Sequence, residues 1–560
     1  MLRKYIKFTD SEISKAPCCR KVLAGILLVV WYLGGCSTDH YKKDADQEVY
    51  KIIEAKWQGE FGPQTNYRIS DVEPGPNDID QTSQTSISGK LSLAQAVAMA
   101  TACNRSYQNE KEQLYLSALD LTLQRHSFNP QFFGLFGGGY LLSDEEESVD
   151  FNGELGFDLL LADGAQISTS IGMEWLRYLT GDPDTSLGSV LSATVSQPLL
   201  RGRGRKIVQE NLTQAERNTL YQVRSFNRFR KSFVISVITQ YYQVLRQLDR
   251  VKNAKSNYDN LLVSQEQISA MAQTGRLPRF EEGEARQSTL SAENNYITSQ
   301  EVYKQQLDQF KIRLALPTDA VLELDPCELD VLETIGISEP DFSLELAVQT
   351  ALDCRLDLAN TRDKVDDAAR KVDVAADKLG AELDLIGSAR AQSEDKTNLG
   401  NLQIHRGDYS FGFEADLPLD RKSERNAYRE ALINLTRQQR TYEEEVDQVK
   451  FEVRQAYRDL REAYSTYLIQ LSSLKLAEQR VAMQLDLLQE GRATTRQYLF
   501  AQEDLLQAQN SKTSALVEFT LAKLNFYRDI GLLQVRPDGL WQQPEPKALQ
   551  DKKVVSRSND

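Results

Sequence analysis

The chain is poor in histidine. Three occur in 560 residues, His40, His126 and His405, each isolated in sequence, which leaves little material for a histidine metal site or a Ser-His-Asp triad. Long apolar runs are missing too. Beyond residue 36 no stretch approaches the about 18 residues a transmembrane helix needs, and 41% hydrophobic with 26% charged residues is not the composition of a polytopic helical membrane protein. Positive charge is in deficit: 66 Lys and Arg face 81 Asp and Glu, for a net charge of −15. That is the wrong sign for general nucleic-acid binding. Proline is absent from two polar runs of about seventy residues, beginning near Arg205 and Lys422, so nothing in them interrupts a helix. No nucleophile stands beside a base. The basic run Arg201-Gly202-Arg203-Gly204-Arg205-Lys206 lacks the Gly-Lys-Ser/Thr ending of a phosphate loop and any interleaved aromatic. It reads instead as a basic corner close to lipid headgroups. The paired acids Asp366-Asp367 and Glu443-Glu444-Glu445 read as solvated helix faces.

The amino terminus carries the most specific local signal. Arg20 and Lys21 precede an apolar run from Val22 to Leu33, too short to span a bilayer and suited to a signal-peptide core. The run ends Leu33-Gly34-Gly35-Cys36-Ser37, which resembles a bacterial lipobox and makes Cys36 the expected lipidated amino terminus. Ser37 at the following position resembles outer-membrane lipoproteins. An uncleaved anchor or a plain secretory signal are the alternatives. Removing residues 1–35 takes six Lys/Arg and two Asp/Glu and leaves the remainder still more acidic. Of the six cysteines, Cys103, Cys327 and Cys354 remain once Cys18, Cys19 and Cys36 are set aside, and an odd number leaves at least one thiol without an intramolecular partner. Cys327 with Cys354 is the conceivable pair.

The organisation is a repeat. Residues 37–90 read as a tether with one short helix around Lys43–Trp57. A helix begins at Leu91-Ser92-Leu93-Ala94-Gln95-Ala96-Val97 and runs to about Phe128. Strand-like alternation follows at Phe151–Leu161, Gln166–Trp175 and Ser189–Leu199, with Gly137-Gly138-Gly139 beside aromatics as a sheet bend. The corner at Pro198 ends a strand and opens a helix to Gln273, some 100 Å long at about 1.5 Å per residue. Thr274-Gly275-Arg276-Leu277-Pro278 turns the chain into a partner helix, about Phe280–Leu314. An acidic connector, 317–341, leads to the same order again. Ala96-Val97 and Cys103 align with Ala347-Val348 and Cys354 at an offset of 251; strands recur at Glu382–Ala391 and Tyr409–Leu417; Pro198 aligns with Pro418 at 220, and Gly275 with Gly491 at 216. The first copy is therefore longer by 31 residues in its strand region alone, about one hairpin. In the second long helix Val446, Val449, Val453, Tyr457, Leu460, Tyr464, Tyr467, Leu471 and Leu474 are spaced three or four apart. That is the pattern of supercoiled packing, and helices so long and polar need neighbours that one chain does not supply.

Leu91-Ser92-Leu93-Ala94-Gln95-Ala96-Val97, Gln197-Pro198-Leu199-Leu200, Leu417-Pro418-Leu419 and the turns Gly275-Arg276-Leu277 and Gly491-Arg492-Ala493-Thr494, in this order and twice over, resemble the TolC-like outer-membrane efflux family. The resemblance implies an α+β fold, mainly α, in which a duplicated helix-strand-strand-helix-helix unit forms a trimeric transmembrane β-barrel continued by a long periplasmic α-helical barrel. It implies signal 1–35, tether 36–90, first repeat 91–316 with strands over about 131–199, connector 317–341, second repeat 342–533 with strands over about 382–417, and a disordered tail 534–560. The implied function is the exit duct of a tripartite efflux pump or type I secretion system in the outer membrane. Such a duct would not be an enzyme, and no cofactor, metal site or nucleic-acid partner is expected. Its partners would be outer-membrane lipid, a periplasmic adaptor (membrane fusion protein) and an inner-membrane transporter. The turns Gly275, Arg276, Leu277 and Gly491, Arg492, Ala493 would meet the adaptor. Where TolC places aspartates that narrow the pore, this chain has Gln497 and Phe500 as the constriction residues; Glu281, Glu282 and Glu284 on the other turn read as a solvated face, the alternative being that they supply the negative charge instead. The rival reading is a coiled-coil envelope scaffold without a pore.

Overall fold

The computed structural model describes residues 37–57, 67–69, 90–142, 147–178, 185–335, 343–393, 402–417, 419–535 and 541–542. Cys36 and Pro418 lie outside them. Two compact units are present, Met1–Ala55 and Lys56–Asp560. The helix α1 (Thr38–Lys56) is the tether helix the sequence suggests.

In the larger unit the predicted first helix is two helices, α2 (Leu93–Cys103) and α3 (Arg105–His126). The break has a local cause. Asn104 is extended, and its Oδ1 accepts from the backbone N–H of Ser106 (2.9 Å) and Tyr107 (3.2 Å), an N-cap contributing about 1 kcal/mol. Four strands follow: β1 (Gln131–Leu142), β2 (Glu147–Leu160), β3 (Gln166–Tyr178) and β4 (Thr185–Pro198). After the one-turn α4 (Arg205–Val208) come the long α5 (Glu210–Gln273) and its partner α6 (Arg279–Arg313). The acidic connector holds α7 (Cys327–Ile335). Then come α8 (Leu344–Cys354), α9 (Leu356–Asp377), β5 (Glu382–Gln392), β6 (Asp408–Asp416), α10 (Lys422–Gln489) and α11 (Thr495–Asp529). The tail is not wholly without structure: β7 (Gln534–Val535) pairs with β8 (Trp541–Gln542). Helix lengths of 11, 22, 64 and 35 residues recur as 11, 22, 68 and 35.

Each long helix exceeds its hairpin partner, and a shorter helix covers the remainder. Thr219 Oγ1 donates to Ser117 O (3.2 Å) between α5 and α3, while Gln247 Nε2 reaches Ser299 O (3.1 Å) on α6. The packing repeats residue for residue: the Tyr241 ring meets Phe310 (6.0 Å between centroids), and 216 residues on Tyr457 meets Phe526 (6.1 Å). Val449, Val453 and Leu460 from the predicted stripe are buried with Phe519 and Ile530. Phe451, Ile469 and Leu476 on the same helix are more than half exposed. The α9 amino terminus is clamped electrostatically. Buried Arg355 holds Asp357 through two hydrogen bonds (3.1 and 2.7 Å) and Glu452 of α10 at 2.6 Å, and Arg228 of α5 pairs with Asp357 at 2.5 Å. Cys103, Cys327 and Cys354 form no disulfide with one another, so the conceivable Cys327–Cys354 bridge is not formed.

Candidate functional site

Two regions carry chemistry that the packing alone does not require: the paired hairpin tips and the sheet. At the tips, α5 and α10 end in the same device. Gly275 (φ 77°) and Gly491 (φ 72°) occupy the left-handed region, open to glycine at no steric cost. Their N–H groups reach Ala272 O (3.2 Å) and Leu488 O (3.0 Å), and those of Arg276 and Arg492 reach back to Met271 O (2.9 Å) and Leu487 O (2.8 Å). This closes the last turn of each helix as a Schellman motif. Arg276 and Arg492 are exposed, whereas Leu277 and Ala493 are half-buried. Gln497 is engaged in a capping box with Thr494: its side chain accepts from Thr494 N (3.0 Å), and Thr494 Oγ1 accepts from Gln497 N (3.4 Å). Phe500, half exposed, lines a 460 Å³ groove between the hairpins with Leu261, Glu284 and Arg496.

The three glutamates of the first turn do not form a solvated face. Glu281 is buried, and its Oε2 accepts from Thr495 Oγ1 at 2.5 Å and Thr495 N at 3.4 Å. Glu284 forms an ion pair with Arg496, and Glu282 accepts from Ser269 Oγ at 2.9 Å. The first two contacts join the α6 start to the α11 start, more than two hundred residues away. Above this latch the α5–α11 interface is a polar ladder. Ser264 meets Tyr498 (3.1 Å), Asn253 donates to Asn510 (3.1 Å), Thr513 donates to Asp249 (2.7 Å), Arg250 reaches Ser514 (3.3 Å) and Arg246 pairs with Glu518 (3.6 Å). Such contacts exchange readily with water, each contributing about 1 kcal/mol net, so this seam separates at lower cost than an apolar one. Only the glycine turns were visible in the sequence; the latch and ladder join distant segments with no local signature.

The sheet is six-stranded and antiparallel throughout, in chain order β1-β2-β3-β4-β5-β6. Its register sorts side chains onto two unlike faces. One face carries Phe132, Phe136 and Tyr140 of β1, Phe151, Leu155 and Phe157 of β2, Ile171 and Trp175 of β3, Leu191 and Val195 of β4, Leu385 of β5, and Phe411 and Phe413 of β6. Much of it is bare: Phe132 is 80% and Phe411 76% exposed. The other face carries Phe133, Leu135 and Leu141 of β1, and from there on is mainly polar: Asp150, Asn152, Glu154, Asp158, Ser168, Ser170, Ser192, Thr194, Asp384, Ser388, Arg390 and Glu414. The like charges Asp384 and Glu414, and Glu382 and Asp416, stand directly opposite each other. Such pairs cost up to about 1 kcal/mol, which a face open to water tolerates best. Alternating apolar-out and polar-in strands are the pattern of a lipid-spanning barrel. Among the described residues no helix is long and apolar enough to cross a membrane. Pro198 ends β4, where Leu199 N still bonds Leu383 O (2.8 Å) and Gly202 N is held by Asp377 Oδ2 (2.8 Å). Arg201 faces Glu382 at 3.7 Å.

Residues 347–531 match the description of the outer membrane efflux protein family. Among solved structures, the chain is similar to the Campylobacter jejuni CmeC outer membrane channel (14% identity, TM-score 0.56, covering 83% of this chain and 89% of that one). It is similar also to the outer membrane protein VceC of Vibrio cholerae (14%, 0.55, 78% and 96%) and to the open state of the Neisseria gonorrhoeae MtrE outer membrane channel (14%, 0.56, 79% and 89%). No curated protein matches by sequence. The resemblance read from the sequence motifs is thus matched over residues 347–531 by the family, and over most of the chain the solved structures show the fold.

Proposed function

We propose that this chain, with an efflux-family second repeat and the fold of outer-membrane channels, is the outer-membrane exit duct of a tripartite efflux pump or type I secretion system. The two-faced sheet carries the reading. An apolar face so exposed in one chain is stable only against lipid, and a polar, acidic face suits a water-filled lumen. Three copies, tethered by lipid at Cys36, close the sheets into one barrel and the long helices into a duct below it. The matched helix lengths support two repeats, 91–316 and 342–533. The bare Phe451, Ile469 and Leu476 of α10 supply the apolar contact between neighbouring copies.

Transport through such a duct is passive. An inner-membrane transporter supplies the work, and a periplasmic adaptor docks on the tips through Gly275, Arg276 and Leu277 and through Gly491, Arg492 and Ala493. The turns suit this because Arg276 and Arg492 stand exposed on rigidly capped ends. Opening is a parting of hairpins along the polar α5–α11 seam, resisted by the Glu281–Thr495 and Glu284–Arg496 latch. Phe500, with its ring free of the cap that occupies Gln497, is the residue at this level that narrows the passage. The rival reading, a coiled-coil envelope scaffold without a pore, has no closed barrel. Light scattering of the detergent-extracted protein, with gel mobility before and after boiling, separates the two. A mass of three chains and a heat-dependent mobility shift support the duct; a monomer without a shift would refute it.

A further inference from the structure

We infer that the β2–β3 hairpin is a wall insertion: each copy contributes all six strands to the membrane barrel, β1 pairing with β6 of the next copy, so that three copies close eighteen strands instead of twelve. The inference rests on the duct reading above and goes further, naming the bore.

The insertion can be located. From the end of α3 to β1 (His126 to Gln131) and from the end of α9 to β5 (Asp377 to Glu382) the spacing is the same, which makes β1 the counterpart of β5. β4 and β6 both run into a strand-to-helix corner, which makes them counterparts too. The hairpin β2–β3 has none, and accounts for the extra 31 residues of the first repeat.

Three observations put it in the wall and not outside as a flap. Its ladders are continuous on both sides, Gln131↔Asp158 through Leu142↔Glu147 towards β1 and Gln166↔Ser196 through Arg177↔Thr185 towards β4. Its faces agree with those of its neighbours, Phe151 and Trp175 lying with Phe136 and Leu191, and Asp150 and Glu154 lying with Ser192. Its turn is locked to the corner that leads into the helices. Gly204 N donates to Asp163 O (3.0 Å), and at Gly164 (φ 102°) a Cβ would stand 2.9 Å from Gly202 O and from the Pro198 ring.

The outer edges then specify the closure. β1 carries no charge and no proline, and among the described residues neither β1 nor β6 has a partner on its outer side. Bare edges of this kind are ones a soluble sheet would protect. With an even number of strands per copy, β1 and the neighbour's β6 run antiparallel. Phe132, Phe136 and Tyr140 meet Tyr409, Phe411 and Phe413 on the lipid side, so the apolar belt is unbroken. At about 4.8 Å between strands and about 40° tilt, eighteen strands enclose a ring about 36 Å across against about 24 Å for twelve. The barrel is then too wide to select solutes by size, and that selection falls to the hairpin tips.

Electron microscopy of the full-chain oligomer in detergent, viewed along the barrel, tests this by counting strands per copy. The expected result is six, in a ring about 36 Å wide. A closed ring with four strands per copy and the hairpin outside it would overturn the inference and leave the duct reading intact; no closed ring would sink both. Deleting residues 147–178 preserves the in–out alternation of β1 and β4, and is expected to shrink the ring by about one third. An unchanged diameter in that variant would also refute the insertion.

Discussion

Ala315 and Gly531 hold equivalent places, 216 residues apart, where α6 and α11 end. Ala315 has φ 59° and Gly531 φ 82°. An L side chain in that region costs about 1–2 kcal/mol, partly offset by the larger entropy a glycine loses on folding. Ala315→Gly is therefore expected to raise the melting midpoint, by roughly 0.5–1 kcal/mol of stability. Gly531→Ala is expected to lower it, because the added Cβ would also stand 3.0 Å from the Cys354 backbone carbonyl. Circular dichroism melts of the solubilised protein check both signs. At this scale the sequence was legible where chemistry is local: positive φ at Gly275 and Gly491 follows from a glycine at the end of a long polar helix. It was not legible at Glu281. A Glu-Glu-Gly-Glu stretch looks like a solvated face, and only the fold brings Thr495 against it.

Among the elements, the long helices were readable from their period and the strands β2 to β6 from alternation and turn residues. β1 was harder, since both its faces are apolar or glycine. The register explains the glycines: Gly138 lies beneath the Phe151 ring and Gly153 beneath that of Phe136, so each leaves room for a neighbour's aromatic. The division of the first helix was hidden because Asn104 breaks it without proline or glycine. The α9 clamp carries a pH prediction. Burial raises the Asp357 and Glu452 carboxyls, but hydrogen bonds and the charges of Arg355 and Arg228 outweigh it, and both titrate below their ordinary values of 3.8 and 4.5. Groups depressed on folding contribute fully above the unfolded pKa, and that contribution is lost as pH falls through the folded value. The melting midpoint should therefore fall below about pH 4.5, and fall less steeply in Asp357→Asn, which starts lower at neutral pH. Parallel pH profiles of the two proteins would contradict the clamp.

At the scale of the whole molecule, two sets of helices share their lengths and an aromatic packing pair, and the two repeats proposed from them differ by one hairpin. The repeat was visible in motif offsets, and the size of the difference with it. The place of the hairpin was not, because nothing in a strand's own sequence says which strand lies beside it. Single-channel recording in planar bilayers tests the account most directly, using the full chain and the Thr495→Val/Arg496→Ala double variant, whose latch is cut. The account predicts discrete, long-lived current steps in both, with a conductance several-fold larger in the variant. Membrane insertion of both proteins without steps in either would contradict it.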